Sequence, residues 1–300
     1  MQKTKIYSVY TELFKPVWEI YEASVRKFSA DLEPTSFEIS TFGGLNRSTD
    51  WQQCVDTKQQ MIFASIRENL GKIIIWSDCD VVFVNNPIPE INQCMEGMDI
   101  CGFNDGRNYL YLNSGLLALR CSDKLTGMWS KLTSQPIHSN SFIKSPPDTN
   151  DYDQFAINWL LQSNKDIKYA FLPESFWCHH RGNPPDDICA FHATTFSLKE
   201  KISLLKNTDW LTLPKTECEI TAIWNPEDIE IADDCTFWFF GIEDQDKHLC
   251  IRKDINQPEI MSKSTCEYTV KFKTHYKPYK WIIWPYSKSR GWLKAFVKTI

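Results

Sequence analysis

The chain has 300 residues, of which 42% are hydrophobic and 24% charged, and it contains 12 tryptophans and 11 glycines. This composition excludes a disordered, collagen-like or coiled-coil protein, and the length allows one large domain or two unequal ones. The formal net charge of −5 argues against general nucleic-acid binding, which requires basic side chains that neutralise phosphates. We therefore expect no nucleic-acid partner.

The N-terminal residues and the apolar runs bear on cellular location. Residues 1–14 lack the basic start, apolar stretch and small-residue cleavage site of a secretory signal. The longest apolar runs, such as residues 73–76, fall far short of the ~20 residues that cross a bilayer. The 11 cysteines show no framework spacing, so we expect most of them to be reduced and buried. These features predict a cytoplasmic protein with neither a signal peptide nor a transmembrane segment.

The first part of the chain alternates strand and helix patterns. Strands are predicted at 5–14 and 35–42, on either side of a helix at about 16–28. A second helix at about 52–70 ends at Gly71, a good C-terminal cap, and its apolar stripe contains Val55, Ile62, Phe63, Ile66 and Leu70. Residues 73–76 are apolar on both faces, which is typical of a central parallel strand covered by helices.

Similar elements follow along the chain. Strands are predicted at 116–119 and 187–193, with a helix at about 151–162 between them, and Ser197 and Glu200 are spaced as a capping box for another short helix. This alternation predicts an α/β domain over residues 1–210. Residues 211–300 are rich in Trp, Phe and Thr, with alternating segments at 235–240 and 268–272, and predict a small, mainly β region.

Charge is distributed unevenly along the chain. Residues 268–300 contain seven lysines, one arginine and no acidic residue, whereas residues 1–267 contain 25 basic and 38 acidic residues, a net charge of −13. Trp281, Trp284 and Trp292 lie in this basic tail. The tail predicts a peripheral membrane contact, an acceptor-binding surface with tryptophans as sugar platforms, or a pair of strands with solvated lysines.

Two carboxylates, Asp78 and Asp80, follow the apolar strand at 73–76. Carboxylates this close repel each other unless a cation lies beside them, and the carboxyl end of such a strand is where open α/β sheets bind ligands. Oxygen-rich sites with open positions favour magnesium or manganese, which complete their shell with substrate phosphates. The pair therefore predicts a divalent metal site, although a loop with solvent-facing carboxylates has the same spacing.

Residues 73–87 resemble the D-x-D strand of the GT-A nucleotide-diphospho-sugar transferases. Asn113-Ser114-Gly115, Asp153-Gln154 and Phe191-His192-Ala193 follow in that family's order, and the resemblance covers about residues 1–206. The chain is most similar to the retaining enzymes related to glycogenin and the bacterial lipopolysaccharide galactosyltransferases. The resemblance implies a GT-A, Rossmann-like fold. It also implies metal-dependent transfer of a hexose or pentose from a UDP-sugar to a hydroxyl of a carbohydrate or glycoconjugate acceptor.

The resemblance also implies roles for individual residues. Asp78, Asp80 and His192 would ligate manganese, with magnesium as the alternative that an imidazole ligand suits less well. Asp153 and Gln154 would be catalytic, beside the anomeric carbon of the donor. The residues that would bind the donor are Tyr10, Thr11, Lys58, Asp78, Asn113, Gly115, Lys199 and Lys201.

Each of these roles has a structural alternative. His192 could be a core histidine, Gln154 part of a helix cap, Gly115 part of a turn, and Lys199 and Lys201 solvated helix lysines. Retention is favoured over inversion, for which Asp151 or Asp153 would have to serve as the base. A different metal, zinc, would use Cys178, His179, Cys189 and His192.

Two other functions stay open at this point. One is metal-dependent nucleotidyl transfer, which also uses paired aspartates, although residues 7–15 lack the Gly-rich phosphate loop that such enzymes normally have. The other is a non-catalytic carbohydrate- or partner-binding protein on a degenerate transferase fold.

Overall fold

A computed structural model describes residues 3–40, 49–105, 112–134, 152–178, 184–194, 197–206, 208, 216–224, 235–245, 249–255, 266–274, 278–287 and 291–300. The chain divides into two compact units, one comprising Met1–His179 and Pro185–Thr208, the other His180–Pro184 and Asp209–Ile300. The predicted domains, 1–210 and 211–300, stay a prediction, because compactness alone does not show that either part folds independently.

The described part of the first unit contains nine strands, six α-helices and a short 3-10 helix at Glu12–Phe14. The strands are β1 (Thr4–Tyr10), β2 (Leu32–Glu38), β3 (Ile73–Ser77), β4 (Val81–Phe83), β5 (Ile100–Asn104), β6 (Leu112–Arg120), β7 (Tyr169–Phe171), β8 (Phe176–Cys178) and β9 (Ala190–His192). The helices are α1 (Lys15–Arg26), α2 (Thr49–Glu68), α3 (Ile88–Cys94), α4 (Asp123–Thr133), α5 (Tyr152–Ser163) and α6 (Leu198–Lys206). Six strands form one sheet in the order β2-β1-β3-β6-β5-β7, and three form a second sheet in the order β4-β9-β8.

The main sheet is mixed rather than purely parallel. Strand β3 is parallel to β1, as the sequence predicts, but antiparallel to β6, with Ser77 opposite Leu116. Because β6 runs in the opposite direction, its first residues lie at the edge where β3 ends. The Asp78 N–H accordingly donates to the Gly115 carbonyl over 2.7 Å.

Hydrophobic clusters cover both faces of this sheet. Ile74 and Trp76 belong to the cluster formed with α2, α4 and α5, whereas Ile75 belongs to the cluster formed with α1, α3 and the small sheet. All three side chains are at most 1% exposed. The apolar run at 73–76 is therefore a strand buried on both faces, as predicted.

Two predicted helix signals can be checked directly. Gly71 has a φ of 80°, the left-handed conformation expected of a C-terminal cap. Leu70, however, lies beyond the end of α2 and is 51% exposed, so the assignment of Leu70 to the apolar stripe is wrong. Ser197 and Glu200 form the predicted capping box. The Ser197 N–H donates to Glu200 Oε2 over 2.9 Å, and the Glu200 N–H donates to Ser197 Oγ over 3.4 Å.

The second unit is antiparallel β structure. Its strands are β10 (Thr216–Trp224), β11 (Cys235–Glu243), β12 (Leu249–Ile255), β13 (Cys266–Thr274), β14 (Lys280–Ser287), β15 (Gly291–Trp292) and β16 (Phe296–Thr299). Strand β10 pairs with β13, and the other strands form a sheet in the order β12-β11-β14-β15, with β16 also paired to β14. Trp224, Phe240 and Trp281 are buried in one cluster contributed by both sheets. The predicted mainly β C-terminal region is confirmed.

The basic tail lies in a unit that also contains its counter-charges. Residues 209–300 contain 13 basic and 14 acidic residues, a net charge of −1. Lys271 pairs with Glu219 at 3.2 Å and Lys280 pairs with Glu243 at 2.8 Å. This pairing agrees with the interpretation of the tail as ordinary strands, whereas the membrane contact and the sugar platforms stay predictions. None of the helices in the described ranges is long and apolar enough to span a bilayer.

Candidate metal centre

Asp78, Asp80 and His192 come together at the carboxyl end of β3. Asp78 follows β3 directly, Asp80 precedes β4 directly, and β9 pairs with β4 so that His192 lies opposite Val81. One ligand atom from each of the three residues lies within 4.8 Å of the other two. Within the described ranges, no other group of three or more His, Cys, Asp or Glu residues is arranged in this way.

The geometry of this cluster fits a divalent ion. His192 Nε2 lies 3.2 Å from Asp80 Oδ1. Adjacent ligands of an octahedral ion with bonds of about 2.1 Å are roughly 3 Å apart, so the two atoms are spaced as neighbouring ligands. Two carboxylates and one imidazole are ligands that a divalent metal ion accepts, and they leave coordination positions open.

The imidazole of His192 is held by three neighbours. Phe103 stacks on it with ring centroids 5.6 Å apart, and Cys178 Sγ lies 3.9 Å from Nδ1. A methyl group at Gly115 would lie 2.1 Å from His192 Cε1. The sequence predicted that Gly115 lets the donor approach the backbone closely. In the structure, the space beside the Gly115 Cα is occupied by the His192 imidazole.

Lys58 joins the cluster to Asp153. Its ammonium lies 2.8 Å from Asp78 Oδ1 and 3.0 Å from Asp153 Oδ2, and it donates to the Ser114 carbonyl over 3.2 Å. Burial opposes the charge on Lys58, but Asp153 and Asp78 outweigh burial and raise its pKa. Burial likewise opposes the charge on Asp153, but Lys58 outweighs it and lowers the pKa of this carboxyl. Lys58 and Asp153 therefore form a buried charged pair.

The two carboxylates of the D-x-D pair differ electrostatically. Burial raises the pKa of Asp78 above its ordinary value despite the charge of Lys58. Burial acts on Asp80 in the same direction, but Lys201 and His192 outweigh it and lower the pKa of Asp80. The Lys201 ammonium bonds Asp80 Oδ2 and donates to the Ala193 carbonyl over 2.7 Å. Lys201 and His192 therefore favour the charged form of Asp80, whereas burial disfavours the charged form of Asp78.

The amide side chains beside Asp153 differ in what they can offer a ligand. Gln154 Oε1 accepts from the Ser114 N–H over 3.3 Å, and its buried Nε2 has no hydrogen-bond partner among the described residues. Asn113 Nδ2 donates to Asp105 Oδ1 over 3.0 Å, and its Oδ1 accepts from the Gly115 N–H over 2.9 Å. Gln154 thus has a donor available, while both ends of the Asn113 amide are already engaged.

The remaining predicted site residues have different surroundings. Lys199 is exposed, whereas Lys201, on the same helix, is only 9% exposed and lies in the cluster. Tyr10 stacks on Trp18 with centroids 4.3 Å apart and donates to Glu38 over 3.3 Å. Thr11 is buried, and its hydroxyl has no hydrogen-bond partner in the described part of the chain. Asp151, the alternative base, lies outside the described residues.

Three contacts of the site were not anticipated from the sequence. The Ser114 hydroxyl donates to Asp153 Oδ2 over 3.1 Å, and Phe103 and Cys178 hold His192. Ser114 lies in the Asn-Ser-Gly motif and Cys178 belongs to the zinc alternative, but neither was expected to make these contacts, and Phe103 carried no signal. Of the zinc alternative, Cys178 lies beside His192, but the described residues that cluster as metal ligands are Asp78, Asp80 and His192. The Cys189 thiol donates to the Asn85 carbonyl at 3.7 Å, and His179 lies outside the described residues.

No protein-family model and no curated protein sequence matches the chain. Among solved structures, a glycosyltransferase involved in the glycosylation of the major capsid of PBCV-1 gives a TM-score of 0.51 at 11% identity, covering 69% of this chain and 100% of that one.

Two further matches are weaker. The galactosyltransferase LgtC, in complex with donor and acceptor sugar analogues, gives 0.42 at 10% identity and covers 68% and 95% of the two chains. The glycosyltransferase GlyE of Streptococcus pneumoniae TIGR4 gives 0.44 at 12%, covering 71% and 64%. The first match shows that this chain has a glycosyltransferase fold, and the predicted GT-A architecture is confirmed.

Proposed function

We propose that this chain is a metal-dependent glycosyltransferase that moves a hexose or pentose from a UDP-sugar to a hydroxyl of a carbohydrate or glycoconjugate acceptor, with retention. The observation that carries the proposal is the convergence of Asp78, Asp80 and His192 within 4.8 Å at the carboxyl end of β3. This edge of an α/β sheet is where nucleotides bind. A glycosyltransferase fold with a cation-binding cluster at that edge suits a nucleotide-diphospho-sugar better than a free sugar.

Asp78, Asp80 and His192 would hold manganese, with magnesium less suited because of the imidazole. The ion, when bound, supplies electrostatic stabilisation of the negative charge that grows on the departing diphosphate. We assign contacts with the nucleoside to Tyr10 and Thr11. The other donor contacts in this assignment are with Lys58, Asp78, Asn113, Gly115, Lys199 and Lys201.

The surroundings of Asp153 support retention. Its Oδ2 accepts hydrogen bonds from Lys58 and Ser114, and its Oδ1 accepts from the Gln154 N–H over 2.9 Å. A carboxylate with a lowered pKa and occupied oxygens is a weak proton acceptor, and inversion would need a strong one. Asp153 is better suited to stabilise positive charge at the anomeric carbon. On the retaining route the departing phosphate oxygen takes the proton of the acceptor hydroxyl, and Gln154 Nε2 donates to the sugar.

The test combines binding with turnover. UDP and manganese together should raise the melting temperature of the wild-type protein, since ligands that bind only the folded state stabilise it. With a UDP-sugar and an acceptor, UDP should be released. Asp80→Asn and His192→Ala should each remove the manganese-dependent part of the shift, while the exposed Asp166→Asn serves as the control.

The outcomes separate the alternatives. An unchanged manganese-dependent shift in both ligand variants would contradict the metal assignment. Binding of UDP and manganese without UDP release from any donor would point to a binding protein. Release of pyrophosphate from a nucleoside triphosphate would indicate nucleotidyl transfer.

A further inference from the structure

Both carboxylates of the D-x-D pair already have a buried lysine as partner. Lys58 bonds Asp78 and also Asp153, and Lys201 bonds Asp80. The two lysines are only 7% and 9% exposed. Three aspartates and two lysines leave the cluster with a single net negative charge before any metal binds. A site built only from carboxylates would attract a divalent ion much more strongly.

Lys201 shares Asp80 with the metal position. Its ammonium bonds Oδ2 of the carboxylate, while Oδ1 faces His192 Nε2 at 3.2 Å. The Ala193 carbonyl accepts from the same ammonium, and the Lys201 N–H donates to the Ser197 carbonyl over 2.9 Å at the start of α6. The cation is therefore fixed beside the ligand and is not a mobile surface lysine.

We propose that Lys201 is a tethered cation that keeps the affinity for free divalent ions low, so that the metal binds well only together with the nucleotide diphosphate. This inference rests on the proposed function. A positive charge on the same carboxylate repels an incoming ion, and this repulsion is poorly screened in a buried site. The diphosphate brings negative charge and oxygen ligands that offset the lysine. In addition to its proposed contact with the donor, Lys201 thus couples metal binding to nucleotide binding.

Lys58 also bonds a candidate ligand, but its other contacts make it the less suitable residue for a test. It bonds two aspartates and the Ser114 carbonyl, so its removal would leave two carboxylates without their ammonium. Lys201 bonds one carboxylate, that of Asp80, which His192 also contacts and which would hold the ion. Its removal therefore changes the charge beside the ion while Asp80 keeps a partner.

The experiment measures manganese affinity directly by electron paramagnetic resonance of free Mn²⁺, with and without UDP. Lys201→Met should tighten binding of Mn²⁺ alone by roughly tenfold or more and should reduce the gain that UDP provides. Lys201→Arg should restore the wild-type values because it keeps the charge. Lys206→Met, at an exposed lysine of the same helix, should bind as the wild type does.

Melting curves without metal check that each variant is folded, and Lys201→Gln replaces Lys201→Met if the latter does not fold. Unchanged or weaker binding of Mn²⁺ alone in the neutral variant would overturn the proposal. In the wild type, a Mn²⁺ affinity that does not rise with UDP would also overturn it. A different result would contradict the proposed function itself: a wild-type protein that does not bind Mn²⁺ with UDP and does not release UDP from any UDP-sugar.

Discussion

Lysine–carboxylate pairs occur in both units, but in opposite surroundings. The side chains of Lys58 and Asp153, beside the candidate metal ligands, are 9% and 10% exposed. Those of Lys271 and Glu219, on the β structure of the second unit, are 77% and 56% exposed. A buried pair loses its hydration, so removal of one partner leaves an uncompensated charge. An exposed pair gains little because water and salt screen it. An ion pair alone therefore does not mark a functional site, whereas the burial of its two charged groups does distinguish the candidate site from the protein surface.

The largest effect is expected at the buried end of this comparison. Lys58→Met removes the ammonium shared by Asp78 and Asp153, and it should destabilise the protein by about 3–5 kcal/mol. Urea unfolding at neutral pH measures this change. Lys72→Met, at an exposed lysine, is the matched control. If the free energy of unfolding fell by less than about 1 kcal/mol, solvent would be screening the cluster. The buried pairs of the first unit would then contribute no more than the exposed pair of the second.

Steric rather than electrostatic disruption should come next. Gly115→Ala places a methyl group 2.1 Å from the imidazole, so His192 or β6 must move. We expect a destabilisation of about 1–3 kcal/mol, typical of overpacking, together with loss of the manganese-dependent melting shift. Gly127→Ala is the control, because a Cβ at Gly127 meets no atom within 4 Å. A full manganese-dependent shift in Gly115→Ala would show that the imidazole does not depend on this space.

The pair between Lys280 and Glu243 lies between the two extremes, with side chains 22% and 20% exposed and 2.8 Å apart. Lys280→Met should destabilise the protein by roughly 1–2 kcal/mol, measured by urea unfolding. If Lys280→Met lowered the free energy of unfolding as much as Lys58→Met does, burial would not determine how much an ion pair contributes to stability.

The smallest effect is expected at Lys271. Lys271→Ala should change the free energy of unfolding by about 0.5 kcal/mol or less, and added salt should reduce even that. Denaturation of the wild type and the variant at low and high salt tests this. A larger, salt-resistant loss would reveal a buried role for this lysine that its exposure does not suggest.

The sequence was sufficient to predict the α/β order, the buried strand at 73–76 and the three candidate ligands. The three ligands were predicted from the resemblance to the GT-A transferases, which supplies the order of the motifs. The α/β order and the buried strand depend on short-range signals, namely an apolar run and a cap at Gly71. The capping box at Ser197 and Glu200 was predictable for the same reason, because its two residues satisfy each other locally.

Contacts between distant segments could not be predicted in this way. Nothing in the spacing distinguishes Lys199 from Lys201, yet only the second bonds Asp80, across 121 positions of sequence. The fit between Gly115 and His192 depends on how β6 approaches β9, and the antiparallel direction of β6 has no periodicity signal of its own. Leu70 has the right spacing for the apolar stripe, but the helix ends before it.

The pairing of β4 with β9 also affects how the protein matures. During synthesis both aspartates leave the ribosome long before His192 and Lys201, and strand pairings between remote segments form late in folding. A chain in which β4 has not yet paired with β9 therefore has the acidic pair without His192 beside it. Binding of an ion by all three proposed ligands would therefore require that β4 has already paired with β9.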